Sequence, residues 1–310
     1  MSEIGGAPVI SSQDVETFES ESRFDVTTVS LLGNRESNPN WIQILFAWLD
    51  PSQNVLPVDQ VYPANKTAEE VRAESTAQME ISQQDAIAAA LIQLGYEVPR
   101  KLYVNSVVVD TPAAGKLIAG DFVVSAGGVA ITTFEELREQ VQLTSGAPIE
   151  IGLIRNGEPV QFSLTPVKRD ELWVIGAMVG YTYEFPLDVE LQLGEVGGPS
   201  GGLMFALGII DTLTEGSLAG DNHISGTGTI TSTGLVGPIG GVELKMIAAK
   251  NSGADLFLIP EGNCEAAISS IPQDLRVSVV RDLPQALQAI ESLMQGEPAS
   301  VPSCNNQQEN

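Results

Sequence analysis

Between residues 226 and 294 strand-like and helix-like segments take turns: GTGTITSTG (226–234), VELKMIAAKNSG (242–253), DLFLIPEG, CEAAISSI, LRVSVVRDL and PQALQAIESLM (284–294). β-Branched runs bounded by Gly and Pro read as strands, and segments of good helix formers between them read as helices. Alternation of this kind predicts an α/β domain. Immediately upstream, EVGGPSGGLMFALG (195–208) sets Ser200 between Gly-Pro and Gly-Gly, just before an apolar run that reads as a buried helix.

The first half of the chain is patterned differently. Residues 1–22 are polar and read as a loose segment, RFDVTTVSLL (23–32) has the composition of a strand, and NWIQILFAWLD (40–50) reads as a short amphipathic helix bounded by Asp50-Pro51. Residues 67–96 hold helix formers almost throughout, and Met79, Ala86, Ala90 and Leu91 fall near one face. Pro99 closes this region. Residues 101–169 then predict strand, turn, strand, a helix at 134–142 and a hairpin turning at Arg155-Asn156-Gly157, enough for a small β-rich domain. Strands resume at LWVIGAMVGYTYEFPLDVELQL (172–193), and the tail from Gln295 is rich in Gly, Pro, Ser, Asn and Gln.

Bulk composition removes several classes of function. A chain of 310 residues with 43% hydrophobic and 18% charged residues has ordinary globular composition, with room for about two domains. Acidic residues outnumber basic ones 40 to 15, which opposes attraction to nucleic acid or an anionic membrane and reads as a solubility device. No stretch approaches the ~18 consecutive apolar residues of a membrane span, and MSEIGGAPVISS lacks the basic flank and apolar core of a signal peptide, so the chain as written is expected to be soluble. The two cysteines, Cys264 and Cys304, form no CxxC pair, which excludes a zinc ribbon or thioredoxin-type motif and leaves two free thiols or one bridge across a long loop. GGPSGG is not followed by GK[ST] at P-loop spacing, and no His/Cys cluster has metal-ligand spacing, so neither an intrinsic ATPase nor a metal or cofactor site is expected.

Ser200 remains. A hydroxyl at a helix start is ordinarily an N-cap, but four glycines and a proline strip side chains from around it and allow an extended substrate to approach the backbone. Amides at a helix N-terminus also face any developing negative charge, as an oxyanion requires. A serine hydroxyl needs a base. The single histidine, His223, sits among Asp221, Asn222 and Ser225 and reads as part of a solvated turn. Lysine is the alternative, provided it is desolvated enough to be neutral near pH 7. At about 100° per residue, VELKMIAAK places Val242, Lys245, Met246 and Ala249 in one sector, so Lys245 emerges on the apolar face. A lysine there ordinarily snorkels to solvent. Beside a glycine-framed serine in a chain short of histidine, it is the leading base.

These motifs carry a resemblance. GGPSGG followed by GTGTITSTGLVGPIGGVELKMIAAKNSGADLFLIPEGN resembles the serine-lysine proteolytic domain of the Lon protease family across residues 175–293, through the GPSxG and GPIGGxxxKxxAA pairing. The resemblance implies Ser200 as nucleophile, Lys245 as general base, Thr227 in the TGTI motif as a hydrogen-bond partner of the lysine, and backbone amides near Gly198 and Ser200 as the oxyanion site. Two positions depart from the ATP-dependent members: Gly197 stands where they have an acid three residues before the serine, with Glu195 the nearest acid, and Thr229 stands where they have a glutamate. DTPAAGKLIAGDFVVSAGGVAITTFEELREQV resembles the PDZ modules of proteases, which implies peptide recruitment by strand addition at an edge formed by Leu102, Tyr103 and Val104.

Together these imply an α/β (α+β) Lon-type proteolytic domain with an inserted, mainly β PDZ domain. The expected divisions are a flexible segment 1–22, a first part of the protease domain 23–98, the PDZ domain 99–169, the catalytic part 170–294 and a tail 295–310. The function implied is that of an ATP-independent serine endopeptidase acting on unfolded or tail-presented proteins, and the alternative is an idle or partner-ATPase-dependent PDZ scaffold. PDZ-containing Lon-like proteases generally form rings, usually hexameric. They carry an N-terminal membrane helix that is missing from this chain, with the protease outside the cytoplasm. That location implies a Cys264–Cys304 disulfide.

Overall fold

The computed structural model describes residues 3–4, 7–33, 39–50, 52–62, 67–192 and 197–296. Among them, strands of four or more residues are β1 (Arg23–Val26), β2 (Arg100–Val107), β3 (Phe122–Ala126), β4 (Ile149–Arg155), β5 (Glu158–Leu164), β6 (Ala177–Tyr183), β7 (His223–Gly226), β8 (Leu256–Pro260) and β9 (Val277–Val280). Helices of nine or more residues are α1 (Trp41–Leu49), α2 (Ala68–Gln93), α3 (Phe134–Leu143), α4 (Gly202–Leu213), α5 (Val242–Asn251) and α6 (Leu283–Met294). The chain divides into two compact units, one made of residues 1–97 and 186–310 and the other of residues 98–185.

The first unit is built on a parallel four-stranded sheet in the order β9-β8-β7-β1. Its inner strands β7 and β8 are buried along their whole length, as a sheet covered on both faces requires. The apolar run after Ser200 forms α4, in which Gly202 to Asp211 are all buried, and α2 packs along it. Helix α2 starts at a capping box between Thr67 and Glu70, and its second half, with Ala86, Ala88, Ala89 and Ala90 all buried, is lined with side chains small enough for close helix contact. Met79 and Leu91 are buried on the same helix, as the periodicity predicts. Helix α5 lays Val242, Met246 and Ala249 against Phe257 and Ile259 of β8. Helix α1 forms where the sequence predicts one and is capped by Asn40, yet none of its residues is buried, and Trp41, Phe46, Trp48 and Leu49 stand exposed. No described helix is long and apolar enough to cross a membrane.

The second unit is an antiparallel sheet in the order β6-β2-β3-β4-β5, with α3 over one face. Asn156 and Gly157 both adopt positive φ (51° and 84°), which gives the tight β4–β5 hairpin the twist that two-residue turns favour. Leu102 and Val104 of β2, Ile151 and Leu153 of β4 and Leu137 and Val141 of α3 share one core. Buried Asp121 is held by Arg155 through two hydrogen bonds of 2.7 and 2.8 Å. This unit extends beyond residue 169, where the sequence reading ended the PDZ domain: β6 joins β2 over seven residues and brings 172–185 into it. Alternating strand residues carry no mark of the sheet they will join, so the pairing partner of this segment was open until the fold was known.

Candidate active site

Ser200 lies in a 3₁₀ turn, Pro199–Gly201, that feeds directly into α4. The helix takes no side-chain cap from this turn, so the capping role open to a serine here is not the one Ser200 fills. Its hydroxyl instead accepts a hydrogen bond from Lys245 Nζ at 2.8 Å. The same ammonium donates to Thr227 Oγ1, also at 2.8 Å. Thr227 in turn donates from Oγ1 to the Ser200 carbonyl at 3.0 Å, and the Gly228 N–H reaches the same carbonyl at 2.8 Å. Ser200, Lys245 and Thr227, which the sequence singles out from three separate segments, therefore meet.

Each is placed by a rigid element. Thr227 follows the last residue of β7 and is tied to β8 by its N–H to the Leu258 carbonyl. Lys245 sits in the first turns of α5, on the face that also carries Val242, Met246 and Ala249. The lysine does not snorkel: it is 3% exposed, and Thr227 is fully buried. Burial pushes the Lys245 ammonium down to about 8.

Two residues that the sequence reading passed over hold the serine turn from α2. Ser82 Oγ donates to the Pro199 carbonyl at 3.0 Å, and the Ser75 carbonyl accepts the Gly198 N–H at 3.1 Å. The second bond corrects the expected oxyanion pair, because the Gly198 amide is committed to α2. Gly198 has φ 82°, a conformation open to glycine, and this turns its N–H toward that helix. A Cβ at Gly197 would approach Ser75 Oγ to 2.6 Å, so a side chain there would require the serine to rotate away. Gly202 is similarly close to its surroundings, at 2.8 Å from Ser82 Oγ and 2.9 Å from Ile230 for an added Cβ. Part of the glycine framing thus serves packing against α2 rather than access for a substrate. Nothing in the local sequence distinguishes Ser75 or Ser82 from other polar positions of a long helix.

His223 also lies differently from expectation. It is buried at the start of β7, and its Nε2 meets Asp25 Oδ2 of β1 at 2.8 Å. Burial raises the Asp25 carboxyl, but the hydrogen bonds and charges of Arg23 and His223 outweigh it and hold the group below its ordinary value. His223 and Thr227 stand four residues apart along an extended strand, about 13 Å, so the histidine ring is spent at the far end of β7 from Ser200. Cys264 is buried at the start of a short helix, and Cys304 and Glu195 lie outside the described residues. Among the described residues no group of three or more His, Cys, Asp or Glu side chains is placed to hold a metal ion.

In the second unit, the strand carrying Leu102, Tyr103 and Val104 is not an edge. β2 is flanked by β3 on one side and β6 on the other, with Leu102 paired to Tyr181 and Val104 to Val179. The outer strands of the sheet are β6 and β5.

Comparison with known proteins matches two family models, the second of which begins within α2 of the first unit and ends before β6. Residues 194–294 match the Lon protease (S16) C-terminal proteolytic domain, and residues 69–165 match the PDZ domain. The chain carries a Lon-type proteolytic domain and a PDZ domain. Lon protease 2 of Bacillus subtilis is 34% identical over 110 residues, 34% of this chain and 19% of that one. Lon protease of Clostridioides difficile is 40% identical over 79 residues, 26% of this chain and 10% of that one. The chain thus spans between a tenth and a fifth of the length of these relatives. Among solved structures, the PDZ domain of an SdrC-like protein from Listeria monocytogenes is 27% identical, covering 25% of this chain and 85% of that one, with a TM-score of 0.23.

Proposed function

We propose that this chain is a serine endopeptidase that works without ATP, with Ser200 as nucleophile and Lys245 as general base. The observation that carries the reading is the 2.8 Å hydrogen bond between Lys245 Nζ and Ser200 Oγ at a lysine 3% exposed. With its ammonium lowered to about 8, roughly one Lys245 in ten is neutral at pH 7, against about one in several thousand for an ordinary lysine. Neutral Lys245 takes the Ser200 proton as Oγ attacks the scissile carbonyl. Thr227 keeps the amine aimed, through its bond to Nζ and its own anchor on the Ser200 carbonyl. The Ser200 N–H stabilises the oxyanion from the start of α4, where amides face the reacting carbonyl. The lysine ammonium then returns its proton to the leaving amine, and a water deprotonated by Lys245 releases the acyl group. Substrates in this reading are unfolded or tail-presented segments taken up through the PDZ unit, and the protein self-associates into a ring, as the Lon resemblance suggests.

The test is incubation of the purified chain with an unfolded protein in the absence of ATP, comparing the unaltered chain with Ser200→Ala and Lys245→Ala. Cleavage by the unaltered chain alone supports the assignment, and equal cleavage by all three removes it. No cleavage by any of them favours a scaffold or a partner-dependent enzyme, which addition of a candidate ATPase separates.

A further inference from the structure

Helix α5, which carries Lys245, begins without a side-chain cap. Gly241 stands at its N-cap with φ 69°, whereas α1, α2 and α3 all start at capping boxes. The segment leading into α5, Pro238-Ile239-Gly240-Gly241, belongs to no helix or strand, and a Cβ added at Gly240 would meet nothing within 4 Å. Two adjacent glycines leave the backbone wide freedom, so the direction in which α5 sets out has to be fixed from another part of the chain.

The turn that follows β8 supplies the restraint. Glu261–Asn263 form a 3₁₀ turn at the end of a strand buried from Leu256 to Pro260, and Asn263 is itself 6% exposed. Asn263 Oδ1 accepts the Ile239 N–H at 2.8 Å, and Asn263 Nδ2 donates to the Ile239 carbonyl, also at 2.8 Å. One carboxamide thus gives residue 239 the donor and acceptor that a neighbouring strand would offer, and among the described residues no backbone–backbone hydrogen bond involves Ile239. The same turn closes on Pro238, which a Cβ added at Gly262 would meet at 3.1 Å, and Arg281 Nε braces it through Glu261 at 2.7 Å. The Ile239 side chain packs on the cluster of Val242, Met246 and Ala249, the face of α5 that also carries Lys245. From there the link is short: the Gly241 carbonyl accepts the Lys245 N–H at 3.2 Å.

We infer that Asn263 is a positioning residue for the proposed dyad, holding the entry to α5 so that Lys245 Nζ stays on Ser200 and Thr227 and out of water, a role that rests on the Ser200 and Lys245 reading above. Each end of its carboxamide is bonded to Ile239, so its effect reaches the lysine through the loop and the first turn of α5. With both bonds removed, the glycine pair lets that turn move, the two 2.8 Å bonds of Nζ lengthen and water reaches the amine. Water favours the charged form, so the lysine then titrates closer to its ordinary range.

The titration of Lys245 is followed without turnover, by the side-chain resonances of the full chain carrying isotope-labelled lysine, with Lys245 identified by its loss in Lys245→Met. The unaltered chain should titrate near 8, and Asn263→Ala should raise the midpoint by about one pH unit, which lowers the neutral fraction at pH 7 about tenfold. In cleavage of a short peptide the half-rise of kcat/KM should move up with it, and kcat at pH 7 should fall about tenfold with KM unchanged. Leu293→Ala, which deletes a buried side chain near the C-terminal end of α6, is the control for lost stability alone, and its midpoint should stay near 8. A midpoint near 8 in both the unaltered chain and Asn263→Ala overturns the role of Asn263 and leaves the dyad standing. An equal rise in Leu293→Ala overturns it as well, because any loosening of the unit would then act in the same way. A midpoint near 10.5 in the unaltered chain removes the dyad reading and this role with it. Should Asn263→Ala fail to fold, Asn263→Ser, which keeps a hydroxyl for one of the two bonds, should show a smaller rise, and an unchanged midpoint there is the overturning result.

Discussion

Lys245 and Asp121 are both taken out of water, at 3% and 0% exposure, yet the two units treat them in opposite ways. In the PDZ unit, burial pushes the Asp121 carboxyl up, but the Arg155 guanidinium and the Ile118 N–H outweigh it and hold the group charged, below its ordinary value. In the proteolytic unit Lys245 meets two hydroxyls, and burial drives it toward the neutral amine. Compensation of a buried charge makes a structural joint, here between the segment leading into β3 and the end of β4. A buried amine left to its desolvation becomes a base near neutral pH. The difference separates a residue that holds a fold from one suited to chemistry.

The largest effect that tests this contrast is on turnover. Replacing Lys245 by Met keeps the apolar volume and removes the base, so kcat/KM should fall by about 10³-fold or more, while thermal unfolding of the proteolytic unit changes little. A loss of structure matching the loss of activity would make Lys245 a structural residue like Asp121 and erase the distinction. Next in size is Arg155→Met, which strands the Asp121 carboxylate. It should destabilise the PDZ unit by about 3 kcal/mol, read as faster hydrogen exchange in the β3–β4 ladder, with cleavage of a short peptide nearly unchanged.

What the sequence revealed of the site follows from how local each signal is. The helical phase of Lys245 relative to Val242, Met246 and Ala249, and the φ requirements of Asn156-Gly157, are set within a few residues and could be read directly. Ser75 and Ser82 act on the nucleophile's turn from a helix more than a hundred positions upstream, where a serine among alanines, glutamines and glutamates has no distinguishing pattern. The partnership of β6 with β2 was hidden for the same reason, as was that of His223 with Asp25. Each is a non-local pairing, and alternation or polar neighbours look alike whichever partner is chosen. The amide of Gly198 was misassigned because glycine placement shows where the backbone can turn, not which way its N–H then points.

The pH dependence sharpens the contrast further. Only the unprotonated amine can accept the Ser200 proton, so kcat/KM should rise about tenfold per pH unit below about 8 and flatten above it. The stability contribution has the same sign: the folded state disfavours the charged lysine, so its destabilising effect is greatest below 8 and disappears as pH rises toward the ordinary value of 10.5. A flat profile from pH 6.5 to 9 would mean that Lys245 is not the titrating base.

The smallest effect concerns Ser82, which we place as a positioning residue. Ser82→Ala leaves the Pro199 carbonyl with the Gly202 N–H alone, removing one hydrogen bond worth about 1 kcal/mol from the turn that carries the nucleophile. We expect kcat to fall about fivefold with KM unchanged, because the substrate's binding surface is untouched while Ser200 loses one restraint. The pH profile distinguishes positioning from a change in the base. Lys245 remains buried in this variant, so the plateau should drop while the half-rise stays near 8. Movement of the half-rise toward the ordinary lysine range would mean that Ser82 keeps water from the amine, and that α2 sets the reactivity of Lys245 as well as the position of Ser200.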